Sequence, residues 1–122
     1  MGRRVLLIED EPNIIEAIRF ILSRDGWNVL THADGNTAFQ AIQNQTPDVI
    51  ILDAMLPNRS GFDILQDIRS EAATQDIPVM MLTARGQQKD RDMAERFGAN
   101  RFMTKPFSNA EVLDVMRQLA PL

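Results

Sequence analysis

Residues 49–57 run Val49-Ile50-Ile51-Leu52-Asp53-Ala54-Met55-Leu56-Pro57, four apolar residues followed by one carboxylate and a turn. An apolar run without alternation predicts a strand buried on both faces, which is typical of a parallel sheet between helices. Ligands bind such sheets at the carboxyl ends of the strands, so Asp53 is predicted to lie at a site. The alternative is that Asp53 caps the next helix. Other charged residues at the same edge would favour the site.

Outward from this segment, β-preferring runs alternate with stretches of helical periodicity. The predicted strands lie at 5–8, 27–32, 49–52, 78–82 and 101–104. Each is followed by a predicted helix, marked by Pro12, Ala38, Phe62, Met93 and the capping-box pair Ser108 and Glu111. Asp34 and Gly35 are predicted to form the turn before the second helix.

Strict alternation of strand and helix in so short a chain predicts an α/β fold with a doubly wound parallel sheet and right-handed crossovers. We expect five strands in the order 2-1-3-4-5, the flavodoxin-like (βα)5 arrangement that is common at this size. The 122 residues are enough for one core and too few for two, so we expect a single domain over residues 1–122.

The composition argues against several classes of function. A net charge of −4 disfavours a nucleic-acid-binding surface, because such binding depends on accumulated Lys and Arg. The chain has no cysteine, which excludes disulfides, thiol catalysis and cysteine-bound metals. No apolar run in the sequence approaches the roughly 20 residues that span a bilayer. We therefore expect neither a DNA nor a membrane partner, and we expect a cytoplasmic location.

The predicted strand order brings charged residues to one edge of the sheet. The first and third strands are neighbours, so Glu9 and Asp10 lie beside Asp53, with Thr83 and Lys105 arriving from the strands beyond. Two carboxylates about 4 Å apart repel each other by about 4 kcal/mol at an effective dielectric near 20, so the site needs positive charge. Lys105 supplies one cation. A set of oxygen ligands without His or Cys suits Mg²⁺ better than zinc as a second.

This pattern predicts phosphoryl transfer to an aspartate. Mg²⁺ held by few carboxylates keeps coordination positions open for a phosphoryl oxygen. Asp53 can then act as the nucleophile and form an acyl phosphate. The metal and Lys105 would neutralise charge on the transferred group, and Thr83 would add a hydroxyl donor.

The same residues lie in five segments that carry a family resemblance. The segments are Glu9-Asp10, Leu52-Asp53-Ala54-Met55-Leu56-Pro57, Gly61, Leu82-Thr83-Ala84 and Thr104-Lys105-Pro106-Phe107. On these segments the chain resembles the receiver domains of two-component response regulators over essentially its whole length. It is similar both to single-domain chemotaxis-type receivers and to the receivers of winged-helix transcriptional regulators.

The resemblance implies a phosphoacceptor site and its metal. Asp53 would be the phosphoacceptor, phosphorylated by a sensor histidine kinase, a phosphotransfer protein or a small phosphodonor. Asp10, Asp53 and the backbone carbonyl of Met55 would hold Mg²⁺, with Glu9 acting through water. The chain would be a regulatory phosphoacceptor that catalyses only its own phosphorylation and slow dephosphorylation, rather than an enzyme.

The resemblance also implies a switch. Thr83 would move toward the phosphoryl group, Lys105 would pair with that group, and Phe102 would turn inward. Partner affinity would then change on the face formed by the fourth helix, the fifth strand and the fifth helix. Pro57 belongs to the loop after the acceptor strand, and the Lys105-Pro106 peptide is expected to be cis.

Two positions depart from the family pattern. Phe102 is commonly Tyr, and loss of the hydroxyl predicts a bias toward a buried ring, with a fixed core role as the alternative. Receivers of winged-helix regulators often carry two acids where this chain has Asn100 and Arg101. These acids form charge pairs between monomers, and Arg101 inverts the charge at that position. A weak homodimer through the fourth helix, fifth strand and fifth helix therefore stays an open expectation.

Three other functions use a similar architecture. An aspartyl-phosphate phosphatase would place a second Asp two residues after its nucleophile, where this chain has Met55. A nucleotide or flavin module would carry a glycine-rich phosphate loop, and the sequence has neither a G-x-G-x-x-G nor a P-loop pattern. A receiver that is never phosphorylated would not need Asp53, Thr83 and Lys105 together. The residues therefore favour a phosphorylation-dependent switch.

Overall fold

The computed structural model describes residues 3–84 and 86–120. The predicted domain, 1–122, begins and ends outside these ranges, and Arg85 also lies outside them. The elements are β1 (Arg4–Ile8), α1 (Pro12–Arg24), β2 (Asn28–His32), α2 (Gly35–Gln45), β3 (Val49–Asp53), α3 (Gly61–Ser70), β4 (Val79–Thr83), α4 (Gln88–Arg96), β5 (Arg101–Thr104) and α5 (Asn109–Leu119). None of the helices in these ranges combines the length and the hydropathy of a membrane-spanning segment.

The strands form one parallel sheet in the order β2-β1-β3-β4-β5, which confirms the predicted fold. Ile8 at the end of β1 pairs with His32 on one side and Leu52 on the other. Asp53 pairs with Leu82, and Thr83 pairs with Thr104. Because all pairs are parallel, the carboxyl ends of the strands lie along one edge.

The core consists of two hydrophobic clusters, one on each face of the sheet. Ile50 and Leu52 of β3 belong to the cluster covered by α2, α3 and α4. Val49 and Ile51 belong to the cluster covered by α1 and α5. Every residue of β3 is buried, as the unbroken apolar run predicts. Full burial of each such side chain contributes about 1.5 to 3 kcal/mol, so β3 anchors both halves of the core.

Side-chain caps set the starts of three helices. Ser108 and Glu111 form the predicted capping box at α5, with hydrogen bonds in both directions. Ser60 caps α3 by accepting a hydrogen bond from the backbone N–H of Asp63. The predicted turn at Asp34 and Gly35 is wrong: Asp34 caps α2 by accepting from the N–H of Asn36, and Gly35 is the first helical residue. Asp favours both turns and helix N-caps, so composition alone did not separate the two.

Asn100 joins β4 to the α4–β5 connection. Its side-chain oxygen accepts hydrogen bonds from the backbone N–H of Val79 at 2.8 Å and from the Arg69 guanidinium at 2.9 Å. Arg69 also donates to the carbonyl oxygens of Gly98 and Ile77. One amide oxygen therefore satisfies a backbone donor and positions an arginine that spans two loops.

Asn100→Ala is expected to lower the free energy of unfolding by about 1 to 2 kcal/mol, because Val79 and Arg69 lose a shared acceptor. Asn100→Asp keeps an acceptor oxygen beside Arg69 and is expected to lie within about 0.5 kcal/mol of wild type. Urea unfolding followed by the fluorescence of Trp27, the single tryptophan, measures both variants. Equal losses in the two would contradict this role of the side-chain oxygen.

Candidate functional site

Four strand ends deliver the predicted site residues to one edge of the sheet. Glu9 directly follows β1, Asp53 closes β3, Thr83 closes β4 and Lys105 directly follows β5. The backbone N–H of Lys105 donates to the carbonyl oxygen of Thr83 at 2.7 Å, which joins the last two strand ends. The structure thus brings these residues together as the strand order predicts.

Asp53 is buried, with 2% of its surface exposed. Its Oδ1 accepts a hydrogen bond from the backbone N–H of Met55 at 3.2 Å. Its Oδ2 lies 3.6 Å from Nζ of Lys105. Both carboxylate oxygens therefore have a positive or donating neighbour, and the side chain is held in one orientation.

Glu9 is fully buried and is tied to its surroundings by both oxygens. Oε2 accepts from the backbone N–H groups of Asp10 at 3.0 Å and Glu11 at 3.1 Å. Oε1 lies 2.9 Å from Nζ of Lys105, whereas Oδ2 of Asp53 lies 3.6 Å from the same nitrogen. Lys105 therefore pairs first with Glu9 and second with Asp53.

Glu11 is a site neighbour that the sequence prediction did not include. Its Oε1 lies 3.8 Å from Nζ of Lys105, and its side chain is largely exposed. The run Glu9-Asp10-Glu11 was a visible signal for it. The choice among three consecutive acids depends on how the chain turns into α1, which the sequence does not display.

Burial raises the pKa of Asp53 from an ordinary value of 3.8 to about 7, with a further contribution from Glu9. The N–H of Met55 and the charge of Lys105 act in the opposite direction. Burial lowers the pKa of Lys105, but the hydrogen bond to Glu9 and the charges of Asp53, Glu9 and Glu11 outweigh it, so this pKa lies above its usual value. Asp53 is thus an electrostatically unfavourable anion, while Lys105 stays charged.

The carboxylates of Glu9, Asp10 and Asp53 form a candidate metal site. One oxygen from each lies within 4.8 Å of the others. Asp10 is exposed whereas Glu9 and Asp53 are buried, so the cluster opens to solvent on one side. The donors are all hard oxygens, and a cation there would offset the burial and the interaction with Glu9 that raise the pKa of Asp53. The residues fit a hard divalent ion such as Mg²⁺ or Ca²⁺.

The remaining predicted residues lie on β4, on β5 and in the loops that follow β3 and β5. Thr83 is buried at the end of β4. Pro57 accepts a hydrogen bond from the N–H of Gly35 at its carbonyl oxygen, which joins its loop to α2. The Lys105-Pro106 peptide is cis, as predicted. Phe102 is half-buried and packs against the core, and the bias toward a buried ring stays a prediction.

Gly61 and Gly35 let neighbouring segments approach the site closely. A Cβ atom at Gly61 would lie 2.2 Å from the carbonyl oxygen of Asp53, and one at Gly35 would lie 2.4 Å from that of Arg59. The sequence marked Gly61 as a motif residue without showing this reason. Gly35 was predicted to lie in a turn, and its close approach to Arg59 had no signal in the sequence.

His32, at the end of β2, contacts the backbone of a site residue. Its carbonyl oxygen accepts a hydrogen bond from the backbone N–H of Glu9 at 3.0 Å. Its ring is 2.7 Å from the hydroxyl of Thr37, an interaction within the scaffold. The backbone of His32 thus supports the segment that carries Glu9, and its ring has a structural contact.

Comparison with known proteins identifies the family. The model of the response regulator receiver domain matches residues 5–117. The chain belongs to this family. It is a receiver domain of two-component signalling, and its acidic cluster suits a phosphoacceptor site.

Relatives of this receiver include two transcriptional regulators. The phosphate regulon regulatory protein PhoB of Escherichia coli is 40% identical over 126 residues, covering 100% of this chain and 55% of PhoB. The alkaline phosphatase synthesis regulatory protein PhoP of Bacillus subtilis is 35% identical over 112 residues, covering 92% of this chain and 46% of PhoP. The receiver thus spans about half the length of the curated relatives it matches.

One solved structure of a similar receiver holds a metal. The receiver domain of the sensor histidine kinase PA1611 of Pseudomonas aeruginosa has a magnesium ion coordinated in its active-site cleft. It superposes with a TM-score of 0.89 at 31% identity, covering 98% of each chain. The fold and the family are therefore established.

Proposed function

We propose that Asp53 is the phosphoacceptor of this receiver. The observation that carries the proposal is the placement of its buried carboxylate 3.6 Å from Lys105, at an edge shared with Glu9 and Asp10. The raised pKa of Asp53 means that the carboxylate is poorly stabilised as an anion. Forming an acyl phosphate replaces that carboxylate charge by a phosphoryl group that extends toward solvent and toward any cation at the site.

The reaction is transfer of a phosphoryl group between two nucleophiles. A carboxylate oxygen of Asp53 attacks phosphorus, the P–N bond of a phosphohistidine donor breaks, and the leaving nitrogen takes up a proton. A mixed anhydride forms at Asp53. Lys105, already within the site, pairs with the phosphoryl oxygens, and the hydroxyl of Thr83 donates to them. Positioning and charge neutralisation of this kind supply most of the catalysis in phosphoryl transfer.

Mg²⁺ is the proposed cofactor. Asp10, Asp53 and the backbone carbonyl of Met55 would hold it, with Glu9 acting through water. When bound, it supplies charge neutralisation and open positions for phosphoryl oxygens. Glu9 accepts hydrogen bonds from the N–H groups of Asp10 and Glu11, so it orients the turn that presents Asp10.

We propose that phosphorylation changes the face made by α4, β5 and α5. Thr83 is paired with Thr104 in the sheet, so its displacement toward a phosphoryl group acts on the strand that carries Phe102. A shift in the populations of two conformations would then change the affinity for a partner. A weak homodimer through this face remains part of the proposal, although Arg101 there is exposed and bonded to Gln118 in its own chain.

The proposed phosphodonor is a sensor histidine kinase or a phosphotransfer protein, and the proposed location of the transfer is the cytoplasm. The domain proposed to accept the phosphoryl group spans residues 1–122. PhoB and PhoP are named transcriptional regulators, and they extend beyond the matched region. We therefore propose that a longer protein containing this receiver regulates transcription. The receiver itself is not proposed to bind DNA. Its chemistry is limited to its own phosphorylation and slow dephosphorylation.

Phosphorylation by a small phosphodonor tests the acceptor directly. Incubation with acetyl phosphate and Mg²⁺ is expected to add one phosphoryl group to wild type, as measured by intact mass spectrometry. Asp53→Asn is expected to add none. Asp63→Asn, which removes an exposed carboxylate on α3, is the matched control and is expected to behave as wild type.

Two outcomes would contradict the proposal. Phosphoryl incorporation in Asp53→Asn at the wild-type rate would show that another residue is the acceptor. Undiminished incorporation in excess EDTA would show that no divalent ion takes part. Urea unfolding of each variant, run alongside, shows whether a loss of incorporation reflects a loss of folding.

A further inference from the structure

Arg91 of α4 lies over the ring of Phe102 of β5. Its guanidinium carbon is 4.9 Å from the ring centroid, within the range of a cation–π interaction. The ring also packs against the hydrophobic cluster on this face of the sheet, so it lies between the core and the guanidinium. A phenylalanine ring has no hydroxyl, so its face and edge are the surfaces through which it can attract a charged group.

The same arginine reaches the strand end beside the site. Its guanidinium lies 3.5 Å from the hydroxyl of Thr104, at the outer limit of a hydrogen bond. Thr104 pairs with Thr83 in the sheet and precedes Lys105. A Cβ atom at Gly86 would lie 2.8 Å from the Thr104 hydroxyl, so the β4–α4 connection also packs onto Thr104. Arg91 therefore joins α4 to both Phe102 and the residue adjoining the site.

The surroundings of Arg91 contain charges of both signs. Phe102 and Arg91 line two grooves, whose other charged lining residues are Arg101, Glu95, Glu111 and Asp114. Among the ion pairs of the described residues, none joins Arg91 to these carboxylates at salt-bridge distance. The guanidinium thus contacts the ring and the Thr104 hydroxyl rather than a neighbouring acid.

We propose that Arg91 is a positioning residue that couples the ring of Phe102 to helix α4. The inference rests on the proposed function, because the coupling matters when Thr83 moves toward a phosphoryl group. The guanidinium holds the ring in its half-exposed position while the acceptor is free. When the ring moves, Arg91 loses one of its two contacts on β5, and α4 responds. A partly exposed cation–π contact corresponds to about a two- to fivefold change in the ratio of the two ring positions.

NMR spectroscopy of the Phe102 ring tests its coupling to Arg91. Ring-labelled phenylalanine gives six ring systems, and the Phe102 signals are assigned with Phe102→Leu. In the free protein, Arg91→Gln is expected to move the Phe102 ring signals, whereas Arg91→Lys retains a cation and moves them less. Lys89→Gln removes an equal charge from the same helix and is the matched control. It is expected to leave the Phe102 ring unchanged.

The phosphoryl mimic beryllofluoride with Mg²⁺ then tests the response of α4. Wild type and Lys89→Gln are expected to show amide shifts throughout residues 88–96, and Arg91→Gln is expected to show them reduced by about twofold or more. An Arg91→Gln protein that binds beryllofluoride normally and keeps the full response of α4 overturns the coupling. A wild-type protein that does not bind beryllofluoride overturns the proposed function instead. Unchanged Phe102 ring signals in free Arg91→Gln overturn the contact itself.

Discussion

Asp53→Asn is expected to stabilise the fold in metal-free buffer, raising the free energy of unfolding by about 2 to 4 kcal/mol near pH 8. Burial and Glu9 raise the pKa of Asp53 to about 7, so above that pH the native state carries a poorly solvated anion beside a second carboxylate. Each unit of pKa difference corresponds to about 1.4 kcal/mol. Asparagine has nearly the same shape and no charge.

The difference in the free energy of unfolding between Asp53→Asn and wild type should increase with pH. In the unfolded chain Asp53 titrates near its ordinary value of 3.8, and in the folded protein near 7. Below about pH 4 the carboxyl is protonated in both states, and the two proteins should differ little. Between about pH 4 and 7 the unfolded state binds fewer protons than the native state, so wild type loses stability as pH rises. Above about 7 the difference is complete and constant.

Urea unfolding in EDTA at several pH values, followed by Trp27 fluorescence, measures this difference. Asp63→Asn should show no comparable gain, because its carboxylate is exposed. Adding Mg²⁺ should narrow the gap, because a cation that binds the native wild type stabilises it by mass action. A gap of the same size at pH 4 and pH 8 would contradict the assignment of the effect to the Asp53 charge.

Gly61→Ala is expected to lower the free energy of unfolding by about 3 kcal/mol, because the new methyl group would collide with backbone. Its Cβ atom would lie 2.2 Å from the carbonyl oxygen of Asp53 and 2.9 Å from Cα of Ala54. Backbone atoms cannot turn aside as a flexible side chain can. The N–H of Gly61 also donates to the carbonyl oxygen of Ala54 at 3.0 Å, so the start of α3 cannot retreat without losing that hydrogen bond.

The same substitution should impair phosphoryl incorporation in the fraction that stays folded, because the collision displaces the backbone that carries Asp53. Asp63→Ala places a methyl group on the exposed side of the same helical turn and is the control. Urea unfolding gives the stability, and acetyl phosphate with intact mass gives the incorporation. A Gly61→Ala protein with wild-type stability would show that α3 moves away at little cost.

The residues that could be predicted from sequence are those whose environment is set by local pattern. The unbroken apolar run before Asp53 indicated a strand buried on both faces, and β3 is buried throughout. Ser108 and Glu111 indicated a capping box that the structure contains. Asp34 and Gly35 were misassigned, because Asp favours turns and N-caps alike and only packing against the Pro57 loop separates them.

The contacts that could not be predicted are those made between distant segments. Lys105 lies nearer to Glu9 than to Asp53, Glu11 joins the same cluster, and the His32 carbonyl binds the Glu9 backbone. Asn100 stood out in the sequence only as a departure from a family pattern. Its pairing with Val79 and Arg69 appears only when α3 and β4 are in place.

The amino-acid sequence alone determined the alternation of strands and helices and the identity of the acceptor candidate, because hydrophobic period is a property of short segments. The edge at which the acids collect followed from the strand order that is common for alternating chains of this size. Tertiary structure alone decided which oxygen Lys105 approaches, how deeply Asp53 is buried and where Arg91 meets Phe102. These depend on distances of a few ångströms between residues far apart in the chain. Electrostatic energies change steeply over such distances, and a linear pattern carries no information about them.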